Sequence, residues 1–134
     1  MNILFVRHGK DSDQHRGGWS QLDLLPEGKR EAKTLADYLV QHKEDYHFTK
    51  MITSDLKRAE TTATILAETL QLSLEKESNL REMNNGDLAG MLNSEADQKF
   101  PRLYFRSLAM DEHYPNGESP REFYQRIKTW FQRF

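Results

Sequence analysis
Cysteine is absent from this 134-residue chain, which excludes disulfides and thiolate metal sites. Long apolar runs are absent too, and none approaches the ~20 residues that a membrane helix needs. The N-terminus has no basic segment leading into a long apolar stretch, so no signal peptide is expected. An excess of one charge is also missing. The formal net charge is −2, which gives no reason to expect nucleic acid or an acidic membrane as a partner. There are no internal repeats, linkers or low-complexity segments. A cytoplasmic protein is the default expectation. What is present, 30% charged and 37% hydrophobic residues, is a globular balance rather than a disordered one. The length suits a single domain, residues 1–134, with a real core.

The stretch Asn2-Ile3-Leu4-Phe5-Val6-Arg7-His8-Gly9 organises the reading. Ile3 to Val6 is a continuous apolar segment, too short for a stable helix and rich in strand formers. It predicts a strand buried on both faces, as in parallel sheets. Arg7 and His8 then fall at that strand's carboxyl end, where open α/β sheets place their ligand crevices. Gly9 lets the backbone turn and approach a ligand closely.

A polar loop, Lys10 to Asp23, leads to a helix opened by Pro26. Ala32, Leu35, Ala36 and Leu39 make its apolar face to about Lys43. Phe48 to Thr53 reads as a second strand. Asp55 reads as the N-cap of a second helix whose face carries Ala59, Ala63, Leu66 and Leu70. Leu72 to Leu74 reads as a third strand. The order β-α-β-α-β predicts an α/β fold with parallel strands and right-handed crossovers. Asn84-Asn85-Gly86 marks a turn. A third helix starts near Asn93 and is interrupted by Pro101. The last helix, from about Arg121, carries Phe123, Ile127, Trp130, Phe131 and Phe134. That apolar pattern stops with the chain and without a closing cap, so we expect a C-terminal truncation.

Three clusters could carry chemistry: Arg7-His8, Arg58 and Glu82. Singly, each has a plainer reading. His8 could be a strand-end histidine, Arg58 a helix-surface residue paired with Asp55, and Glu82 a solvated loop residue. Their order and spacing point elsewhere. Arg7-His8-Gly9, then Ser54, Arg58, Ala59, Thr62 and Ala63, then Leu80, Glu82, Gly86 and Gly90, then Gly117-Glu118-Ser119, resemble the motifs of the histidine phosphatase superfamily, the phosphoglycerate mutase-like family. They span nearly the whole chain.

The resemblance implies a three-layer α/β/α fold with a mostly parallel sheet, incomplete here at the C-terminus. It implies His8 as nucleophile, Glu82 as general acid, Arg7 and Arg58 as catalytic and substrate-binding groups, and Gln14 as a further substrate contact. The chemistry is coherent. A neutral imidazole can attack phosphorus and form phosphohistidine. Phosphoryl transfer is catalysed mainly by positioning and electrostatics, which guanidinium forks supply. An acid must protonate the leaving oxygen. No metal or other cofactor is then required, and the partner is a small phosphorylated metabolite.

The chain also departs from the family. A second essential histidine, in a His-Gly dipeptide on a later strand, has no counterpart after Gly9. His15, His42, His47 and His113 remain; only His15 and His113 lie in loops that could approach a site. Losing one donor to the transferring group typically costs ~10²–10³ in rate. Without the later strand, the Ile3 to Val6 strand would be an exposed apolar sheet edge, so dimerisation, strand exchange or instability is expected. Lys10, Asp11 and Gln14 stand where the family commonly has Glu or Gln, Ser or Thr, and Asn. The leading expectation is a phosphomonoester hydrolase. The alternatives are mutase-type phosphoryl transfer, which the absence of the mutases' long insertions disfavours, and a truncated, non-catalytic phosphate-binding remnant.

Overall fold
A computed structural model describes residues 2–134. The chain divides into two compact units: residues up to Ser12 together with Asp23–Glu77, and Asp13–Leu22 together with Ser78–Phe134.

The first unit is α/β. Helix α1 (Pro26–Gln41) opens on a proline at its first turn and buries Gly28, Ala32, Ala36 and Leu39, the i, i+4 spacing of one face. It is followed by one further turn, α2 (Lys43–Tyr46), which closes on His47 at φ 48°. Strand β1 (Met51–Thr53) runs through α3 (Lys57–Leu70) to β2 (Leu74–Lys76). The two strands pair in parallel, with Met51 opposite Leu74 and Thr53 opposite Lys76. Helix α3 stops where Gln71 turns left-handed at φ 56°. Ala36, Leu39 and Leu66 form the centre of the core that α1 and α3 share, with Leu35, Phe48, Met51 and Leu70 packed around them.

Three expectations are corrected here. Ile3 to Val6 is not a buried strand. It carries no regular structure, and its side chains are 41–77% exposed. A strand buried on both faces needs neighbouring strands and covering layers, and the sheet among the described residues consists of β1 and β2 alone. The two strands are also shorter than expected, and β2 lies two residues later, at Leu74–Lys76. The N-cap position of α3 is Leu56 rather than Asp55: the helix begins at Lys57, and Leu56 has no side chain that can cap it.

The second unit is helical and irregular. Helix α4 (Asn93–Lys99) ends before Pro101. Helix α5 (Pro120–Phe131) has a complete capping box: the Ser119 hydroxyl accepts from the Glu122 N–H, and the Glu122 carboxylate accepts from the Ser119 N–H. Such a box fixes where the helix starts. Met83, Leu88, Ala96 and Tyr114 form this unit's core, with Phe100, Leu103 and Phe123 against it. The loop 13–22 is stitched to residues 90–93 by backbone bonds, Arg16 N–H to Met91 O at 2.8 Å and Asn93 N–H to Gln14 O at 2.8 Å. No helix among the described residues is long and apolar enough to cross a membrane.

Candidate active site
In the first unit the chain after His8 is pinned to both helices. Gly9 passes so close to α1 that a β-carbon on it would fall on the Gly28 carbonyl, and one on Gly28 would fall on the Lys10 carbonyl. Only glycine permits that crossing at either position. The Lys10 N–H donates to the Glu31 carboxylate at 2.8 Å, and the Leu25 N–H donates to the Lys10 carbonyl at 2.9 Å.

Thr62 makes the link to α3. Its hydroxyl donates to the Arg58 carbonyl at 2.8 Å, and its oxygen accepts from the Gly9 N–H at 3.1 Å. A threonine in mid-helix commonly bonds back to the carbonyl four residues earlier. Here the spare lone pair ties the His8 loop to the turn that carries Arg58. The sequence showed Thr62 as a motif position without a role. A threonine four residues after a motif arginine was the available signal.

His8 is half-buried, and its Nδ1 lies 2.7 Å from the Gly9 carbonyl. A carbonyl can only accept, so Nδ1 carries a proton, and in the neutral ring Nε2 keeps its lone pair. Arg58 is 2% exposed, which sets aside the helix-surface reading. Its Nε stands 3.7 Å from a carboxylate oxygen of Asp11. A guanidinium buried to that extent is retained only where anionic partners meet it. Arg7 is exposed.

Glu82 and Gln14 belong to the second unit, and both are exposed. The Glu82 carbonyl accepts from the Trp19 indole at 2.7 Å. Burial first, and then the negative charge of Glu82, push the Tyr114 hydroxyl above its ordinary value, with Arg16 acting the other way. Of the remaining histidines, His15 forms an isolated antiparallel bridge with Leu92. His113 pairs with Glu122 at 2.9 Å at the start of α5. His42 is spent on α1, stacked on Tyr38 at 4.0 Å.

The model of the histidine phosphatase superfamily (branch 1) matches residues 3–134. The chain belongs to that family. Its relatives include phosphatases and phosphoglycerate mutases. It is 31% identical to phosphoserine phosphatase 1 of Hydrogenobacter thermophilus, over 98% of this chain and 63% of that protein. It is 32% identical to the 2,3-bisphosphoglycerate-dependent phosphoglycerate mutase of Cytophaga hutchinsonii, over 97% of this chain and 62% of that protein. The crystal structure of the α-ribazole phosphatase of Shigella flexneri superimposes with a TM-score of 0.77 at 26% identity, covering 96% of this chain and 64% of that one. The chain thus spans less than two thirds of the length of these relatives.

Proposed function
We propose that this chain provides the phosphoryl-accepting histidine of a phosphomonoester hydrolase, with His8 as the nucleophile. The observation that carries the reading is the 2.7 Å contact between His8 Nδ1 and the Gly9 carbonyl. It holds the proton on Nδ1, fixes the ring, and leaves Nε2 to attack.

The phosphoryl oxygens are drawn to Arg58, assisted by Arg7, because planar guanidinium forks match them. His8 Nε2 forms a bond to phosphorus as the bond from phosphorus to the ester oxygen breaks. A proton from Glu82 goes to the departing oxygen, releasing the alcohol. Water then attacks phosphohistidine, giving its proton to Glu82. The N–P bond breaks, phosphate leaves, and both groups return to their starting states. Hydrolysis is favoured over mutase-type transfer to a second substrate hydroxyl.

A second reading is phosphate binding without turnover. Hydrolysis of p-nitrophenyl phosphate in excess EDTA, compared with His8→Ala, decides between the two. Metal-independent turnover that His8→Ala abolishes supports the hydrolase. No turnover above that variant, with phosphate or vanadate still bound, supports the binding reading.

A further inference from the structure
The Gly117-Glu118-Ser119 motif and α5 acquire a purpose from Arg126. All five N–H donors of a guanidinium are used by this one side chain. Nε and one Nη2 hydrogen donate to the two oxygens of Glu118, at 2.7 and 2.8 Å. Nη1 donates to the carbonyls of Asn79 and Arg81, at 2.7 and 2.9 Å. The remaining Nη2 hydrogen reaches the Glu82 carbonyl at 3.3 Å. Three carbonyls of one short segment therefore converge on a single cation.

Glu118 closes the same segment from its other end. Its Oε2 accepts from the Asn84 N–H at 2.8 Å, and its own N–H donates to the Asn84 carbonyl at 2.8 Å. Burial alone would push the Glu118 carboxyl up. The bonds from Arg126 and Asn84, with the guanidinium charge, outweigh it and hold the group below the ordinary glutamate value. Both side chains of the pair are only 16% exposed, where charge-assisted bonds are strong and a missing partner is costly. The Trp19 indole adds a second donor on the Glu82 carbonyl at 2.7 Å, and the Arg81 guanidinium lies 4.6 Å over the Trp19 ring.

We propose that Arg126 is the positioning residue of the general acid: it fixes the backbone from Asn79 to Glu82 so that the Glu82 carboxyl is delivered in one orientation. Beyond the single 3-10 turn Ser78–Leu80, closed by the Arg81 N–H on the Ser78 carbonyl at 3.1 Å, the segment has no ladder of its own to do this. A lysine could not replace five donors in a planar fork. The inference rests on the role proposed for Glu82.

The test compares wild type with Glu82→Gln, Arg126→Lys and Trp19→Phe on two substrates. p-Nitrophenyl phosphate has a leaving group that needs little protonation; glycerol phosphate releases an alkoxide that needs a proton. Misplacing an acid costs up to the ~10²–10⁴ that general acid catalysis supplies, so Arg126→Lys should lower kcat on glycerol phosphate by about 10–100-fold. KM should hold, and the loss on p-nitrophenyl phosphate should be far smaller. Trp19→Phe, which removes the indole donor to the Glu82 carbonyl and keeps an aromatic ring beside Arg126, should show the same selectivity at lower amplitude.

Equal losses on both substrates, or none, while Glu82→Gln is selective, would overturn the positioning role and leave the acid role standing. A Glu82→Gln variant without selectivity would overturn the acid role itself. Amide hydrogen exchange over residues 79–86 decides the matter in a chain that does not turn over. Exchange about tenfold or more faster in Arg126→Lys, confined to that segment, is expected from losing bonds to a charged group; unchanged exchange would overturn the proposal.

Discussion

Asp11 should limit how tightly this chain holds phosphate. Its carboxylate stands 3.7 Å from the buried Arg58 guanidinium, the group proposed to hold the phosphoryl oxygens. A phosphate oxygen bonded to Arg58 would lie within about 5 Å of Asp11, and two like charges at that distance repel by about 3 kcal/mol at an effective dielectric of ~20. The Asp11 side chain is 26% exposed, so water screens part of this, and about 1.5 kcal/mol is a fair remainder. Asp11→Asn keeps the shape and removes the charge. It should therefore tighten inorganic phosphate by about tenfold, since 1.4 kcal/mol is a factor of ten. It should also cost about 1 kcal/mol of stability, because a buried guanidinium loses a counter-charge, though one at imperfect distance. Titration calorimetry with phosphate, beside urea unfolding of both proteins, measures the two effects. A folded Asp11→Asn that binds phosphate no better, or more weakly, would refute the competition between Asp11 and phosphate for Arg58.

Other consequences are equally direct. Thr62→Val removes the acceptor of the buried Gly9 N–H and should destabilise the chain by about 1–3 kcal/mol in urea unfolding, with a fall in any phosphatase rate. Leu39→Ala, at a site 3% exposed between α1 and α3, should cost about 2–5 kcal/mol by the same measure. Because the Glu118 carboxyl is held below its unfolded value, its stabilisation is complete above the unfolded glutamate range and is lost as pH falls through the folded value; Glu118→Gln should flatten the acid limb of stability against pH. The exposed Ile3 to Val6 run is a self-association hazard, so Phe5→Lys should raise the monomer fraction in light scattering at high concentration. An unchanged fraction would show that association, if any, uses another surface.

The parts of this molecule legible in the sequence are those set by local periodicity and by motif spacing. The buried face of α1 follows from Ala32, Ala36 and Leu39, and the start of α4 and the stop before Pro101 follow from helix signals. The failure at Ile3 to Val6 has a definite cause. A short apolar run says that a segment wants partners; whether strands flank it is a matter of the rest of the chain. Asp55 is a good capping residue by type, yet Leu56 occupies the position before α3. The candidate site divides in the same way. Arg58 and His8 could be named from their motifs, but the buried pairing of Arg58 with Asp11 joins residues 47 apart in sequence. The Arg126 clamp spans up to 47 residues as well. No periodicity carries contacts of that range.

The central claim is that the imidazole of His8 takes the phosphoryl group. The most direct measurement is to mix the chain with a phosphomonoester, quench in alkali within the first turnover, digest, and weigh the peptide that contains His8. A phosphoryl adduct on that peptide, lost on brief acid treatment and absent from His8→Gln, is the predicted result. Phosphate release with no adduct on His8, undiminished in His8→Gln, would contradict it.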